Sequence, residues 1–319
     1  GAITPSTSFT CYHGFYIGRN KKGCHCGGGT RRLNDGIYNS CNAYFVGVYK
    51  KIFEQFDSNA KAMDAWEKHV RSFGLGSYLG SDLHTGRRGS VPSTELYNKW
   101  YGEGDKRWSA ITTYSNAIGQ GEVNVTPIQL ANMTAAIANR GHYFTPHIIK
   151  KVEGIDITIQ NFTKPKYTTI DKRHFEPVVQ GMAEVYKKGT ARGVKIPGIE
   201  IAGKTGTVEN FMVIDTVRTQ LTDNSVFVAF APVDNPKIAI AVYIQNGYYG
   251  ARYAGHIASL LIEKYLKGEI TRKDLEKRML ERTLESEYAK PYSGEEFKIN
   301  EYDWSKHAIK PKKDSIPSR

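Results

Sequence analysis

Lys204-Thr205-Gly206-Thr207 is the run in this chain best suited to hold an anion. An amine beside a hydroxyl can bind a carboxylate through charge-assisted hydrogen bonds. Gly203 and Gly206 carry no side chain that would keep a ligand off the backbone. The N–H of Thr207 can point into the same space as half of an oxyanion hole. A lone Lys-Thr-Gly is a weak signal, and its plain alternative is a strand end. Ser40-Cys41-Asn42 is weaker still by itself and reads most simply as a helix cap.

The cysteines are unevenly spread: Cys11, Cys24, Cys26 and Cys41 all fall within the first 41 residues. Such clustering predicts a metal site or disulfides rather than incidental core thiols. Four thiolates suit a tetrahedral structural zinc with sulfur ligands at roughly 2.3 Å. Cys24-His25-Cys26 is an awkward bite for two ligands, so His25 is an alternative to one of that pair. Two disulfides are the competing reading, open to a chain working outside the cytoplasm.

These residues need elements to position them. Apolar spacing predicts helices over 43–56, where Phe45, Val48, Tyr49, Ile52 and Phe53 share a face, and over 59–73, stopped by Gly74. Residues 74–125 read mostly as loop. Thr126-Pro127 opens a further helix, as cap plus proline at the first turn, ending at Asn139-Arg140-Gly141. Another helix is expected over 174–188, closed by Gly189. Three β-rich apolar runs follow, 199–204, 225–231 and 237–245, the last two joined by a Pro232–Pro236 hairpin loop. A helix over 253–267 closes the domain. Beyond Gly268 one amphipathic helix, marked by Leu275, Met279, Leu280 and Leu284, leads into a charged tail. The expectation is an α+β domain over 1–267 and an appendage over 268–319.

Lys-Thr-Gly and Ser-x-Asn together resemble the active-site elements of penicillin-interacting serine enzymes. Further stretches resemble one branch, the elongation-type class B penicillin-binding proteins (penicillin-binding protein 2). They are Ser72-Phe73-Gly74-Leu75-Gly76, Ala117-Ile118-Gly119-Gln120-Gly121-Glu122, Thr126-Pro127-Ile128-Gln129-Leu130, Ile137-Ala138-Asn139-Arg140-Gly141, Gly189-Thr190-Ala191, Phe230-Ala231-Pro232 and Asn246-Gly247. The resemblance implies a penicillin-binding protein and serine β-lactamase-like fold, an antiparallel sheet flanked by helices, truncated at its N-terminal side. It implies a peptidoglycan D,D-transpeptidase acting in cell-wall synthesis and cell shape. Ser40 would relay a proton to the leaving group and Asn42 would hold the substrate amide. Lys204 and Thr205 would bind the peptide's terminal carboxylate, beside Gly206 and Thr207. Some members of the branch carry a metal beside the Ser-x-Asn loop, where Cys41 lies here.

The family also needs Ser-x-x-Lys, the acylated serine and its base. Ala2-Ile3-Thr4-Pro5 resembles the stretch just after that motif, which is therefore expected before residue 1, together with any export signal or anchor. Ser58-Asn59-Ala60-Lys61 matches the pattern within the chain, but it follows Ser-x-Asn and opens a helix with Ser58 as N-cap. This chain alone is accordingly expected not to form an acyl-enzyme. Glu122 and Asp223 are expected in ion pairing or turns; His25, His84 and His142 fall in loops without a fixed partner.

The net charge is +12, yet the basic residues are scattered and no nucleic-acid-binding pattern occurs. A solvated basic face, or attraction to an anionic membrane or wall polymer, fits better. No run of about eighteen apolar residues is present. The implied partners are peptidoglycan stem peptides, β-lactams and a membrane-embedded glycan polymerase, at the periplasmic face of the inner membrane, with no cofactor for catalysis. The other classes open to these residues are a β-lactam sensor or β-lactamase, and a catalytically silent binding fragment.

Overall fold

The structure is a computed structural model, and it describes residues 1–284 except 18, 83–84, 155–161 and 215–216. His84 and the tail beyond residue 284 lie outside the described residues.

The architecture is α+β. Its central element is an antiparallel sheet of β7 (Ala202–Ile214), β8 (Val217–Ala231) and β9 (Ile238–Ile244), in the order β7-β8-β9. The middle strand carries the run Phe227, Val228, Ala229, Phe230, Ala231, every residue of it buried. A central strand covered on both faces has no solvent side, so it reads as a continuous apolar run rather than an alternating one. Helices α5 (Pro127–Ala138), α6 (Phe175–Lys187) and α7 (His256–Lys267) pack against the sheet. They enclose Val179, Val185, Tyr186, Phe227, Ala254 and Ile262 in the main core.

Their ends follow local chemistry. Thr126 caps α5 ahead of Pro127, as the sequence suggests, and Gln129 completes a reciprocal capping box with it. Gln129 also reaches back from α5 into the loop, donating to the carbonyls of Ser77 and Arg88 at 2.8 Å each. That buried amide pins a long irregular segment that has few backbone partners of its own.

A second core lies between α2 (Asn42–Phe53) and α3 (Asn59–Arg71), built on Tyr49, Phe53, Met63, Tyr97 and Trp108. Tyr97 and Trp108 belong to the region expected to be loop. Thr94–Tyr101 is in fact a helix, α4, capped by the Ser93 side chain. Its eight residues are too few for a clear period, and burial of Tyr97 decides it. The short helix α1 (Leu33–Tyr38) is likewise a tertiary product, held against α6 with Ile37 in the main core.

The first strand of the sheet exceeds its expected length. The apolar run 199–204 predicts an end near Lys204, whereas β7 continues to Ile214, paired with β8 through a register shift between Val208 and Asn210. Hydrogen bonding to β8 sustains the strand where its apolar pattern has ended. The opening residues make two small ribbons: β1 (Phe9–Cys11) with β4 (Gly29–Arg31), and β2 (Gly14–Ile17) with β3 (Asn20–Gly23). Helix α8 (Lys273–Leu280) follows α7, and Glu263, with no exposed side-chain surface, joins them. It accepts from Arg272 Nε at 2.8 Å and from Thr271 Oγ1 at 2.5 Å.

Candidate active site and thiol cluster

Ser40 and Lys204 meet although 164 positions separate them: Lys204 Nζ donates to Ser40 Oγ at 2.7 Å. Each side arrives by a different local device. Helix α1 ends in a reversal in which Cys41 N–H donates to the Gly36 carbonyl at 2.9 Å and Ser40 N–H to Ile37 at 3.1 Å. That pair of bonds is the Schellman pattern, which puts the donor of the inner bond in the left-handed region. Glycine usually fills that position, and here it is Ser40 at φ 55°. A side chain held there costs roughly 1–2 kcal/mol, so this hydroxyl is kept in place by the surrounding structure. Asn42 follows as the first residue of α2.

Lys204 lies on β7, which has β8 on one side and no strand on the other among the described residues. Its amine also donates to the Thr205 carbonyl at 2.8 Å. Burial lowers its pKa to about 8, because a charge is costly to hold away from water. The Thr205 hydroxyl lies 2.8 Å from that of Thr190. Gly206 faces Gly250 so closely that a Cβ on Gly250 would sit 2.5 Å from the Gly206 carbonyl oxygen. Gln120 of the Gly119-Gln120-Gly121 turn donates to the Thr207 carbonyl at 3.3 Å. Ser40 and Lys204 are thus in contact along the free edge of β7, with Thr205 the next residue of the strand. Gln120 belongs to the Gly-Gln-Gly segment that the resemblance marks as specific, and Thr190 to a supporting stretch; no spacing in the sequence signals the contacts either makes.

Behind the same loop the four thiols converge. The sulfurs of Cys11, Cys24, Cys26 and Cys41 are buried and all lie within 4.8 Å of one another, without a disulfide. Cys26 and Cys41 are 3.2 Å apart, Cys24 and Cys41 3.9 Å. Sulfurs around a tetrahedral zinc at about 2.3 Å would stand roughly 3.8 Å apart, so the cluster needs only small adjustments. The N–H of Asn42, at the start of α2, donates to Cys24 Sγ at 3.2 Å. Hydrogen bonding from the Cys41 thiol, helped by the backbone N–H groups of Cys26 and Ala43, lowers the Cys24 pKa against the effect of burial, while the same thiol contact and burial raise that of Cys41. One thiolate is already favoured, which suits a metal-binding set. The alternative in which His25 replaces Cys24 or Cys26 is not what the structure shows. Cys24 and Cys26 are buried and His25 between them is exposed, since alternate residues of an extended segment face opposite ways.

Ser58 caps α3 by accepting from Lys61 N–H at 3.3 Å, and Lys61 Nζ binds Asp57 at 2.7 Å. The serine and lysine of that Ser-x-x-Lys match are thus engaged as cap and surface ion pair. Glu122 lies in a turn, one of the two expected settings, and accepts from the Tyr97 hydroxyl at 3.0 Å. His142 is not in a loop: it stands on β5 (His142–Tyr143), paired with Tyr167.

Residues 1–263 match the family model for the penicillin-binding protein transpeptidase domain, and the chain belongs to that family. Within it the similarity is to the class B, penicillin-binding protein 2 or MrdA type. Peptidoglycan D,D-transpeptidase MrdA of Acinetobacter baumannii is 32% identical over 258 residues, covering 77% of this chain and 36% of that protein. Its Haemophilus influenzae counterpart is 28% identical, covering 75% of this chain and 37% of that protein. The chain thus spans little more than a third of the curated relatives it matches. Among solved structures, Pseudomonas aeruginosa penicillin-binding protein 2 superposes with a TM-score of 0.69 at 28% identity, covering 86% of this chain and 57% of that one. The Helicobacter pylori protein gives 0.65 at 27% identity, covering 83% and 46%.

Proposed function

We propose that this chain is the substrate-binding and proton-relay part of a serine-type D,D-transpeptidase that cross-links peptidoglycan. The observation that carries the reading is the 2.7 Å contact between Lys204 and Ser40, which joins two motifs 164 positions apart. Lys204 and Thr205 bind the terminal carboxylate of a stem peptide, the cation and hydroxyl acting together. The Thr207 N–H contributes to the oxyanion hole, and Asn42 holds the substrate amide. Ser40, bridged to the Lys204 amine, passes a proton to the departing D-alanine nitrogen as the acyl bond breaks. The acylated serine belongs to a Ser-x-x-Lys segment outside residues 1–319, because the Ser58 match is occupied in capping α3. β-Lactams, which offer a carboxylate beside a reactive carbonyl, bind the same residues.

Cys11, Cys24, Cys26 and Cys41 would hold a zinc ion that fixes the Ser40-Cys41-Asn42 loop from behind. The four thiolates fill a tetrahedron and leave no open position, so the ion's contribution is structural rather than Lewis-acid chemistry. Metal analysis of the purified protein with a thiol count tests this; absence of zinc, with Cys11 or Cys41 in a disulfide, overturns it. The relatives' cell-wall roles support work at the periplasmic face of the inner membrane, beside a membrane-embedded glycan polymerase.

Incubation with a labelled penicillin, followed by mass spectrometry, tests the catalytic reading. The 319-residue chain should show no covalent adduct, and joining it to the Ser-x-x-Lys segment should produce one that hydrolyses slowly. An adduct on Ser58 would overturn the nucleophile assignment. Absence of acylation in the joined protein would overturn the transpeptidase, and rapid hydrolysis would make it a β-lactamase.

A further inference from the structure

Thr190 stands outside the motifs that carry the proposed chemistry, yet its hydroxyl is 2.8 Å from the hydroxyl of Thr205. Among the described residues this is the one protein partner of either hydroxyl. Thr190 is held firmly for an exposed residue. Its N–H donates to the Tyr38 carbonyl at 3.2 Å, and the next N–H, of fully buried Ala191, donates to Val185 at 3.1 Å. Gly189 lies so close to the same strip of chain that a Cβ there would be 2.5 Å from the Tyr38 carbonyl oxygen. Tyr38 is the last residue of α1, two positions before Ser40. Thr190 is thus anchored to the segment that carries Ser40 and reaches Thr205, the residue after Lys204.

A hydroxyl has one proton to give and two lone pairs to receive with. A carboxylate only accepts, so Thr205 can bind one only by aiming its single proton at it. The contact with Thr190 must then run the other way, Thr190 donating to a Thr205 lone pair. We propose that Thr190 is a positioning residue that orients the Thr205 hydroxyl toward the substrate carboxylate and so sharpens selection of acyl donors ending in a free carboxylate. The inference rests on Lys204 and Thr205 being the carboxylate clamp. Without Thr190 the Thr205 hydroxyl turns among its staggered positions, and water or the neighbouring backbone takes its proton.

The test is an NMR titration of the 319-residue chain with acetyl-D-alanyl-D-alanine and with its C-terminal amide, reading the ratio of the two dissociation constants. The parent chain should prefer the acid, and Lys204→Met should abolish the preference. Thr190→Val, which keeps the shape and removes the hydroxyl, should reduce the preference about fivefold, the size of one modest hydrogen bond. Thr190→Ser should restore it to within about twofold. In a Thr205→Val background, Thr190→Val should add nothing, which a general loosening of the fold would not reproduce. If Thr190→Val keeps the parental preference while Lys204→Met loses it, the role of Thr190 is overturned and the clamp stands. If the parent shows no preference, or Lys204→Met retains one, the clamp itself fails and this inference with it.

Discussion

The Ser40-Cys41-Asn42 loop has two sides that differ in almost every physical respect. Toward β7 it presents a hydroxyl to an amine, beside a free strand edge. Away from β7, Cys41 is fully buried and its sulfur meets two other thiols. The β7 side holds a residue in a strained backbone conformation, whereas the other side packs four buried sulfurs within 4.8 Å of one another. The difference teaches how a strained hydroxyl is kept in place. Short loops have little apolar surface of their own, so a cross-linking cluster behind them can supply the rigidity that packing does not.

The comparison is broken most severely at Cys41. Cys41→Ala removes one of four clustered sulfurs and should cost on the order of 5 kcal/mol, the range reserved for losing a structural metal. Urea unfolding with and without a chelator checks it: the parent should lose stability on chelation and the variant should not respond. A parent indifferent to chelator would show the thiols act only as packing.

Glu263 tests whether buried polar groups elsewhere act on the β7 side. Burial works against its charge, but hydrogen bonds from Thr271 and Arg272 outweigh that, and its pKa is lowered. Glu263→Gln should destabilise the fold by about 3 kcal/mol, as breaking a buried pair does, while leaving the acid-over-amide preference unchanged. The sign for pH follows: a lowered carboxyl pKa gives stability that is present above the usual carboxylate range and is lost as pH falls through the folded value. Thermal unfolding of parent and variant should therefore converge under acid.

On the β7 side, the pH response of Lys204 sharpens the contrast. Its pKa of about 8 means the free protein loses that charge in mild alkali. Affinity for a carboxylate ligand should hold below pH 8 and decline above it, by up to about tenfold per unit, with Lys204→Met insensitive over that range. The stability sign is opposite to the usual one for lysine. A folded pKa below the unfolded value disfavours folding while the amine stays charged, and stability contributed by this group rises between about pH 8 and the ordinary lysine range.

The smallest effect is expected at Ser58. Ser58→Ala removes an N-cap and should cost about 1 kcal/mol, visible as a small shift in unfolding midpoint, with no change in penicillin binding. A loss of binding there would place Ser58 in the binding site and contradict the assignment of Lys204 and Ser40.

Taken alone, the sequence determined the elements whose signals are local. The helix opening at Thr126-Pro127 carries its own cap, and the run Ser225–Ala231 announces a buried strand. Ser-x-Asn and Lys-Thr-Gly, weak signals singly, were legible together through their resemblance to the active-site elements of penicillin-interacting serine enzymes. The thiol cluster was legible because all four cysteines fall within the first 41 residues. Tertiary structure alone decided the rest. It turned 94–101 into a helix through burial of Tyr97, and carried β7 on to Ile214 through pairing with β8. It placed His25 outside the thiol cluster and Thr190 against Thr205. Each of these depends on contacts between residues far apart in the chain, which neither a local period nor a capping rule can encode.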